Sequence, residues 1–214
     1  MLRAVLVAPP GAGKGTQGER LAKTYDVPHI SAGEILRIHV ARQTPTGRLV
    51  AVALERGELV PDVIVIETVF DQLTAAREGF VLDGFPRTLA QAVAAEEWDL
   101  AEEFPLHAAI ELQVPRDELM TRLVRRAARS SRSDDTQETI LHRLDAYSQD
   151  AHDLLSFYGH RGILIMVDGT GEVDAVTKRI RARLDDVLAS VSSTPDTEMA
   201  AYKMKRLTNK GDPR

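Results

Sequence analysis

Three short stretches of this chain combine residue types suited to anionic chemistry. The first is Ala8-Pro9-Pro10-Gly11-Ala12-Gly13-Lys14-Gly15-Thr16. In a loop of this composition the backbone amides of Gly11, Ala12, Gly13, Lys14 and Gly15 turn inward and hold phosphate oxygens. Glycine lets the chain approach an anion with no Cβ in the way. Lys14 can reach β- and γ-phosphates, and Thr16 stands where a hydroxyl meets phosphate or Mg²⁺. The second stretch is Leu82-Asp83-Gly84-Phe85-Pro86-Arg87-Thr88, followed by Gln91. Asp83 can hold the water shell of Mg²⁺, Pro86 stiffens the loop, and Arg87 offers a planar fork for phosphate. The third is Ser31-Ala32-Gly33-Glu34-Ile35-Leu36-Arg37, where Ser31 and Glu34 have capping-box spacing ahead of a helix. Arginines then concentrate from Arg116 to Arg143, with Arg122 and Arg126 four apart on one helix face.

These residues need elements that bring them together. Leu2 to Val7 is an apolar run ending in Pro and Gly, as a buried parallel strand ends. Strands are expected also at 27–30, 79–83, 108–114 and 163–167. Helices are expected over 13–25, from Ile35 through Val40, and over 46–56, 62–76, 116–127 and 136–158. Strands alternating with helices imply right-handed βαβ units and a five-stranded parallel sheet flanked by helices, an α/β fold. Ligands on such a sheet sit beyond the carboxyl ends of the strands. The phosphate loop and the Asp83 loop both fall there.

Composition narrows the function. The chain has 214 residues, 43% hydrophobic and 28% charged, enough for one α/β domain with insertions. A net charge of −5 argues against a general nucleic-acid binder. No apolar run reaches the roughly 20 residues that span a bilayer, so no membrane partner is expected. The absence of cysteine removes thiolate catalysis and a Cys-ligated zinc, and points to the cytosol. The six histidines show no paired metal-ligand spacing, and Trp98 is expected to pack rather than to bind.

With these motifs in this order, residues 2–188 resemble the adenylate kinase family of nucleoside monophosphate kinases. The resemblance implies a P-loop core over 1–30, 61–125 and 137–190. It also implies an acceptor-nucleotide domain at 31–60, a short lid at 126–136, and a peripheral tail at 191–214, which could hold a short helix around 199–207. It implies MgATP as phosphoryl donor, with no zinc, and a monomer. Arg37 and Arg87 would hold the acceptor phosphate, while Glu58, Leu59 and Val60 pass along its base and Gln91 reads it. Gly84, Phe85 and Pro86 complete that side. Arg122 would lie against the ATP base, with the loop of Gly171 nearby. Arg126, Arg132 and Arg143 would surround the transferring phosphoryl, with Asp134 and Asp135 orienting them.

Some positions depart from the family pattern. Ala8 stands where the loop usually opens with Gly, and Ala127-Ala128 where short lids generally carry Gly, which predicts a stiffer hinge. Ala32 replaces the Thr that helps read adenine and leans toward a UMP or CMP acceptor. Thr88 with Gln91 leans toward AMP, the acceptor favoured here. A third reading, a regulatory nucleotide binder with decayed activity, draws on Ala8 and the lid. Against it, Lys14, Arg37, Asp83, Arg87, Arg126, Arg132 and Arg143 are all present.

Overall fold

A computed structural model describes residues 1–76, 78–101, 105–128 and 136–192. Along the chain run β1 (Arg3–Val7), α1 (Lys14–Tyr25), β2 (His29–Ser31), α2 (Ala32–Ala41), α3 (Pro45–Arg56) and α4 (Asp62–Ala75). Then follow β3 (Phe80–Asp83), α5 (Leu89–Ala101), β4 (Ala108–Gln113), α6 (Arg116–Ala127), α7 (Gln137–His160), β5 (Leu164–Asp168) and α8 (Val173–Ser192). The five strands form one parallel sheet in the order β2-β3-β1-β4-β5.

The alternation of side chains along β1 explains why helices cover both faces. Ala4 and Leu6 join a core with Leu21 of α1, Leu123 of α6 and Ile180 of α8. Val5 and Val7 point the other way, into a core with Leu36, Val69, Leu73, Phe85, Leu154 and Phe157. A strand apolar at every position after Arg3 fits this two-sided burial. Trp98 packs as expected, its ring 5.5 Å from that of Phe70.

Pairing brings the chemistry to one edge. Leu6 lies beside Asp83 in the β1–β3 register, and Ser31 beside Asp83 in the β2–β3 register. The loops after β1, β2 and β3 therefore open side by side.

Two local expectations are corrected. The second strand begins at His29, because Asp26 takes a left-handed conformation and the Val27 N–H bonds back to the Ala22 carbonyl. Residues 26–27 thus close α1 and are not free to join a strand. Nor does Ser31 form the capping box: it makes no side-chain cap bond, and its hydroxyl donates to Asp83 Oδ1 at 3.1 Å. A charge-assisted bond to the carboxylate, which the sheet places within reach, holds the hydroxyl in that orientation. By contrast Thr44 and Thr136 do cap α3 and α7, accepting from the amides of Gly47 and Thr139.

α3 lies tightly on the end of α2. A Cβ on Gly47 would come 2.0 Å from the His39 carbonyl oxygen, so only glycine permits this crossing. α7 runs to His160, two residues past its expected end, and α8 extends to Ser192. Arg132, Asp134, Asp135 and the short helix expected around 199–207 lie outside the described residues, as does most of the lid. Among the described residues no helix is long and apolar enough to cross a membrane.

Candidate active site

The carboxyl ends of β1, β2 and β3 open into a cavity of about 510 Å³, a size that accommodates small ligands. Its first wall is the loop between β1 and α1. Gly11 and Gly13 hold φ values of 84° and 100°, which favour glycine. Gly11 also presses on α6, where a Cβ would come 2.8 Å from Leu123 Cγ. Lys14 donates from Nζ to the carbonyls of Ala8 at 2.6 Å and Pro9 at 2.9 Å. Burial lowers its pKa to about 7, helped by Arg87 and Arg126 and opposed by Asp83. An ammonium so poorly solvated gains strongly from an anion placed beside it.

Ala8 causes no strain at the loop entrance. Among the described residues the non-glycine positions with positive φ are Asp26 and Gln43. The Ala8 methyl is buried in the core that holds Leu6 and Leu123, while its carbonyl meets Lys14.

The floor is built on Asp83. His29 Nε2 donates to Oδ2 at 2.7 Å and the Ser31 hydroxyl to Oδ1. Burial pushes the carboxyl pKa up, yet the His29 hydrogen bond, Lys14 and Ser31 together bring it below its ordinary value. The same hydrogen bond raises His29 against the opposing effect of burial. Neither His29 nor Ser31 was legible as part of the site from spacing alone. The signal that would have found them is their place at the end of a short strand next to that of Asp83.

Arginines form the opposite side. Arg87 Nε donates to the Gly84 carbonyl at 2.9 Å; its side chain is exposed along the open cavity, and desolvation by the surrounding walls, Arg143 and Arg37 lower its pKa against the pull of Asp83. Arg37 and Arg87 meet over Gly33, where a Cβ would lie 3.3 Å from Arg37 Nη1 and 3.8 Å from Arg87 Nη2. Arg143 reaches across from α7 to the Leu54 carbonyl at 3.3 Å. Arg122 donates to the carbonyls of Ala12 at 3.4 Å and Gly169 at 3.0 Å, and pairs with Glu118. Cations assembled this closely in a partly dehydrated cavity describe a polyanion site.

Behind the arginines stands a small polar network. The Arg87 amide donates to Gln91 Oε1 at 2.8 Å, and Gln91 Nε2 donates to Asp62 Oδ1 at 2.7 Å. The Thr88 hydroxyl donates to Asp62 Oδ2 at 3.1 Å.

The sequence model of the adenylate kinase family matches residues 6–163. An adenylate kinase of Clavibacter michiganensis subsp. michiganensis is 44% identical over 186 residues, 86% of this chain and 93% of the relative. One of Thermus thermophilus is 44% identical over 180 residues, 84% of this chain and 95% of the relative. One of Micrococcus luteus is 40% identical over 197 residues, 91% and 96% respectively. The chain belongs to the adenylate kinase family.

Most residues singled out from the sequence of this adenylate kinase family member line the one cavity. They are Gly11, Gly13, Lys14, Gly15, Thr16, Ala32, Arg37, Glu58, Leu59, Val60, Asp83, Gly84, Pro86, Arg87, Gln91, Arg122, Arg126 and Arg143. Three others do not. Ala12 is buried behind the loop, and Phe85 is buried with its ring edge-on to Phe70. Gly171 sits beyond β5, two residues past the Gly169 carbonyl that Arg122 holds. Tyr147 and Asp150 of α7 also line the cavity and were not anticipated. Among the described residues no group of three His, Asp or Glu side chains is placed to hold a metal ion.

Proposed function

We propose that this member of the adenylate kinase family transfers the γ-phosphoryl of MgATP to AMP, giving two ADP. The observation that carries the reading is convergence. Lys14, Arg37, Arg87, Arg126 and Arg143 come from four separate elements and the β3–α5 loop, yet line one cavity whose floor is Asp83. Reaction is in-line attack of the acceptor phosphate oxygen on the γ-phosphorus, with ADP leaving. Little covalent chemistry falls to the protein, so catalysis is positioning and charge stabilisation.

Roles follow from position. The loop amides of residues 11–16 and Lys14 hold the β- and γ-phosphates. Arg37 and Arg87 clamp the acceptor phosphate, and Arg126 and Arg143, together with Arg132, hold the transferring group. Arg122 and the loop that includes Gly171 receive the ATP base. Ala32, Glu58, Leu59, Val60 and Gln91 receive the acceptor base, with Gly84, Phe85 and Pro86 shaping that side.

The residues fit Mg²⁺ brought with ATP. Asp83 faces the cavity in a fixed orientation, its Oδ2 3.9 Å from where a Gly15 Cβ would be. A carboxylate acting through water, with the Thr16 hydroxyl, suits an ion that keeps most of its water and binds phosphate oxygens. When bound, the ion neutralises charge shared by the β- and γ-phosphates.

Residues 31–60 and 126–136 are proposed as the pieces that close over the two nucleotides, excluding water from the transfer. A monomer in the cytosol belongs to the same proposal. The pyrimidine acceptors that Ala32 suggested are not favoured, since the curated relatives are named adenylate kinases. Ala32 is buried beside Gly84, its methyl 3.8 Å from where a Cβ there would lie, and is read as a tolerated loss of one hydrogen bond. The decayed-enzyme reading gains nothing from Ala8, which is unstrained.

³¹P NMR of the protein with MgATP and AMP tests the reading directly. Two ADP should accumulate to a near-thermoneutral equilibrium. ATP consumption with release of inorganic phosphate and no new ADP from AMP would contradict it.

A further inference from the structure

We infer that Asp62 is a specificity-determining residue that fixes which way round Gln91 presents its amide, and so discriminates amino- from oxo-substituted bases. This rests on the reading of Gln91 as the residue facing the acceptor base.

An isolated glutamine amide cannot choose a polarity. Its oxygen accepts and its nitrogen donates, and rotation by 180° exchanges the two at little cost. Gln91 is held at both ends by partners with no such freedom. The backbone N–H of Arg87 can only donate, and it meets Oε1 at 2.8 Å. The Asp62 carboxylate can only accept, and it meets Nε2 at 2.7 Å. Turning the amide over would set donor against donor at Arg87 and oxygen against carboxylate at Asp62. The residue is also only 1% exposed, so little water is at hand to take over either bond.

Asp62 is itself held. Its second oxygen accepts from the Thr88 hydroxyl at 3.1 Å, and that hydroxyl accepts from the Gln91 backbone N–H at 3.1 Å. The carboxylate stands behind Gln91 and does not line the cavity, whereas Gln91 does. Asp62 therefore acts through Gln91.

Each end of the amide keeps one unused site, a lone pair on Oε1 and an N–H on Nε2. Their polarity is now set. They complement a base edge that carries a ring-nitrogen acceptor next to an exocyclic amino group, as adenine does. Hypoxanthine, with a ring N–H next to a carbonyl, presents the reverse order on almost the same shape. A site built around buried polar groups rejects a mismatched partner because those groups are left unpaired.

AMP and IMP are thus the paired probes, used with MgATP on the full chain. Wild type should favour AMP strongly in kcat/KM. Asp62→Asn removes the obligatory acceptor and should cut the AMP:IMP ratio by roughly tenfold, through KM for the acceptor, with KM for MgATP unchanged. Asp62→Glu, which keeps an acceptor-only group, should retain most of the ratio. If Asp62→Asn folds poorly by thermal unfolding, Thr88→Val loosens the same carboxylate and should lower the ratio in the same direction. An AMP:IMP ratio unmoved in these variants, with both nucleotides losing rate equally, would overturn the inference. Wild type that turns over neither nucleotide would instead sink the phosphotransfer reading.

Discussion

His29 Nε2 lies 2.7 Å from Asp83 Oδ2, a bond between neighbouring strands that fixes the only carboxylate at the end of β3. Its second oxygen is taken by Ser31. The carboxylate proposed to face Mg²⁺ is thereby oriented before any nucleotide arrives. His29→Ala should cost about 1.5–3 kcal/mol of stability, the usual range for a hydrogen bond to a charged group. It should also raise the Mg²⁺ concentration needed for half-maximal rate. A variant as stable as wild type and with the same Mg²⁺ dependence would show that the bond positions nothing.

The same bond makes a prediction about Gly18 of α1. Alanine normally stabilises a helix interior over glycine by about 0.5–1 kcal/mol. Here a Cβ would stand 2.4 Å from His29 Nε2, so the ring must leave Asp83. Steric displacement outweighs propensity, and Gly18→Ala should lower the melting temperature and reproduce the Mg²⁺ phenotype of His29→Ala. A rise in melting temperature would contradict it.

Lys14 should report nucleotide binding as a proton. Its pKa in the structure is about 7, lowered by burial and by Arg87 and Arg126. At pH 8 it is mostly neutral, and a polyphosphate beside it restores the charge. ATP binding at pH 8 should therefore take up close to one proton, read by calorimetry in buffers of different ionisation enthalpy. Lys14→Met should abolish that uptake and slow transfer by about a hundredfold or more. Buffer-independent heats in wild type would count against the charge state assigned here.

At the other end of the sheet two half-buried groups pull pH dependence in opposite directions. His107 accepts the Arg3 backbone N–H on Nδ1 at 3.0 Å, and burial with the charge of Arg3 lowers it from 6.5 to about 4. The unfolded chain takes up that proton first, so stability from His107 is lost as pH falls from 6.5 toward 4. Burial raises Asp99 from 3.8 to about 7, against Arg3, so its folded form keeps a proton and stability is lost as pH rises over that window. The two largely offset each other. His107→Asn should leave only the Asp99 effect, becoming more stable relative to wild type at pH 5 than at pH 7 in urea unfolding. Parallel pH profiles would refute the opposing pair.

Much of the site could be read in the sequence because its parts are local. The glycines around Lys14 and the run from Asp83 to Arg87 each carry their geometry in consecutive residues, and the alternation of strands with helices placed them at one edge. What could not be read depends on register. Ser31 looked like a helix cap because three-residue spacing cannot show that β3 sets Asp83 beside it. His29 and Asp62 were invisible for the same reason, since their partners lie 54 and 29 residues away. Ala8 departs from the glycine with which the family's loop usually opens. Its ordinary backbone conformation and buried methyl show a position where a Cβ fits.

Turnover with MgATP against AMP, UMP, CMP and GMP, measured in parallel, tests the central claim most directly. The convergence of Lys14 and the arginines over Asp83, with Gln91 locked in one polarity, predicts AMP preferred by at least about tenfold in kcat/KM. Preference for UMP or CMP would contradict the acceptor assigned here. ATP binding without transfer to any of the four would contradict the enzyme.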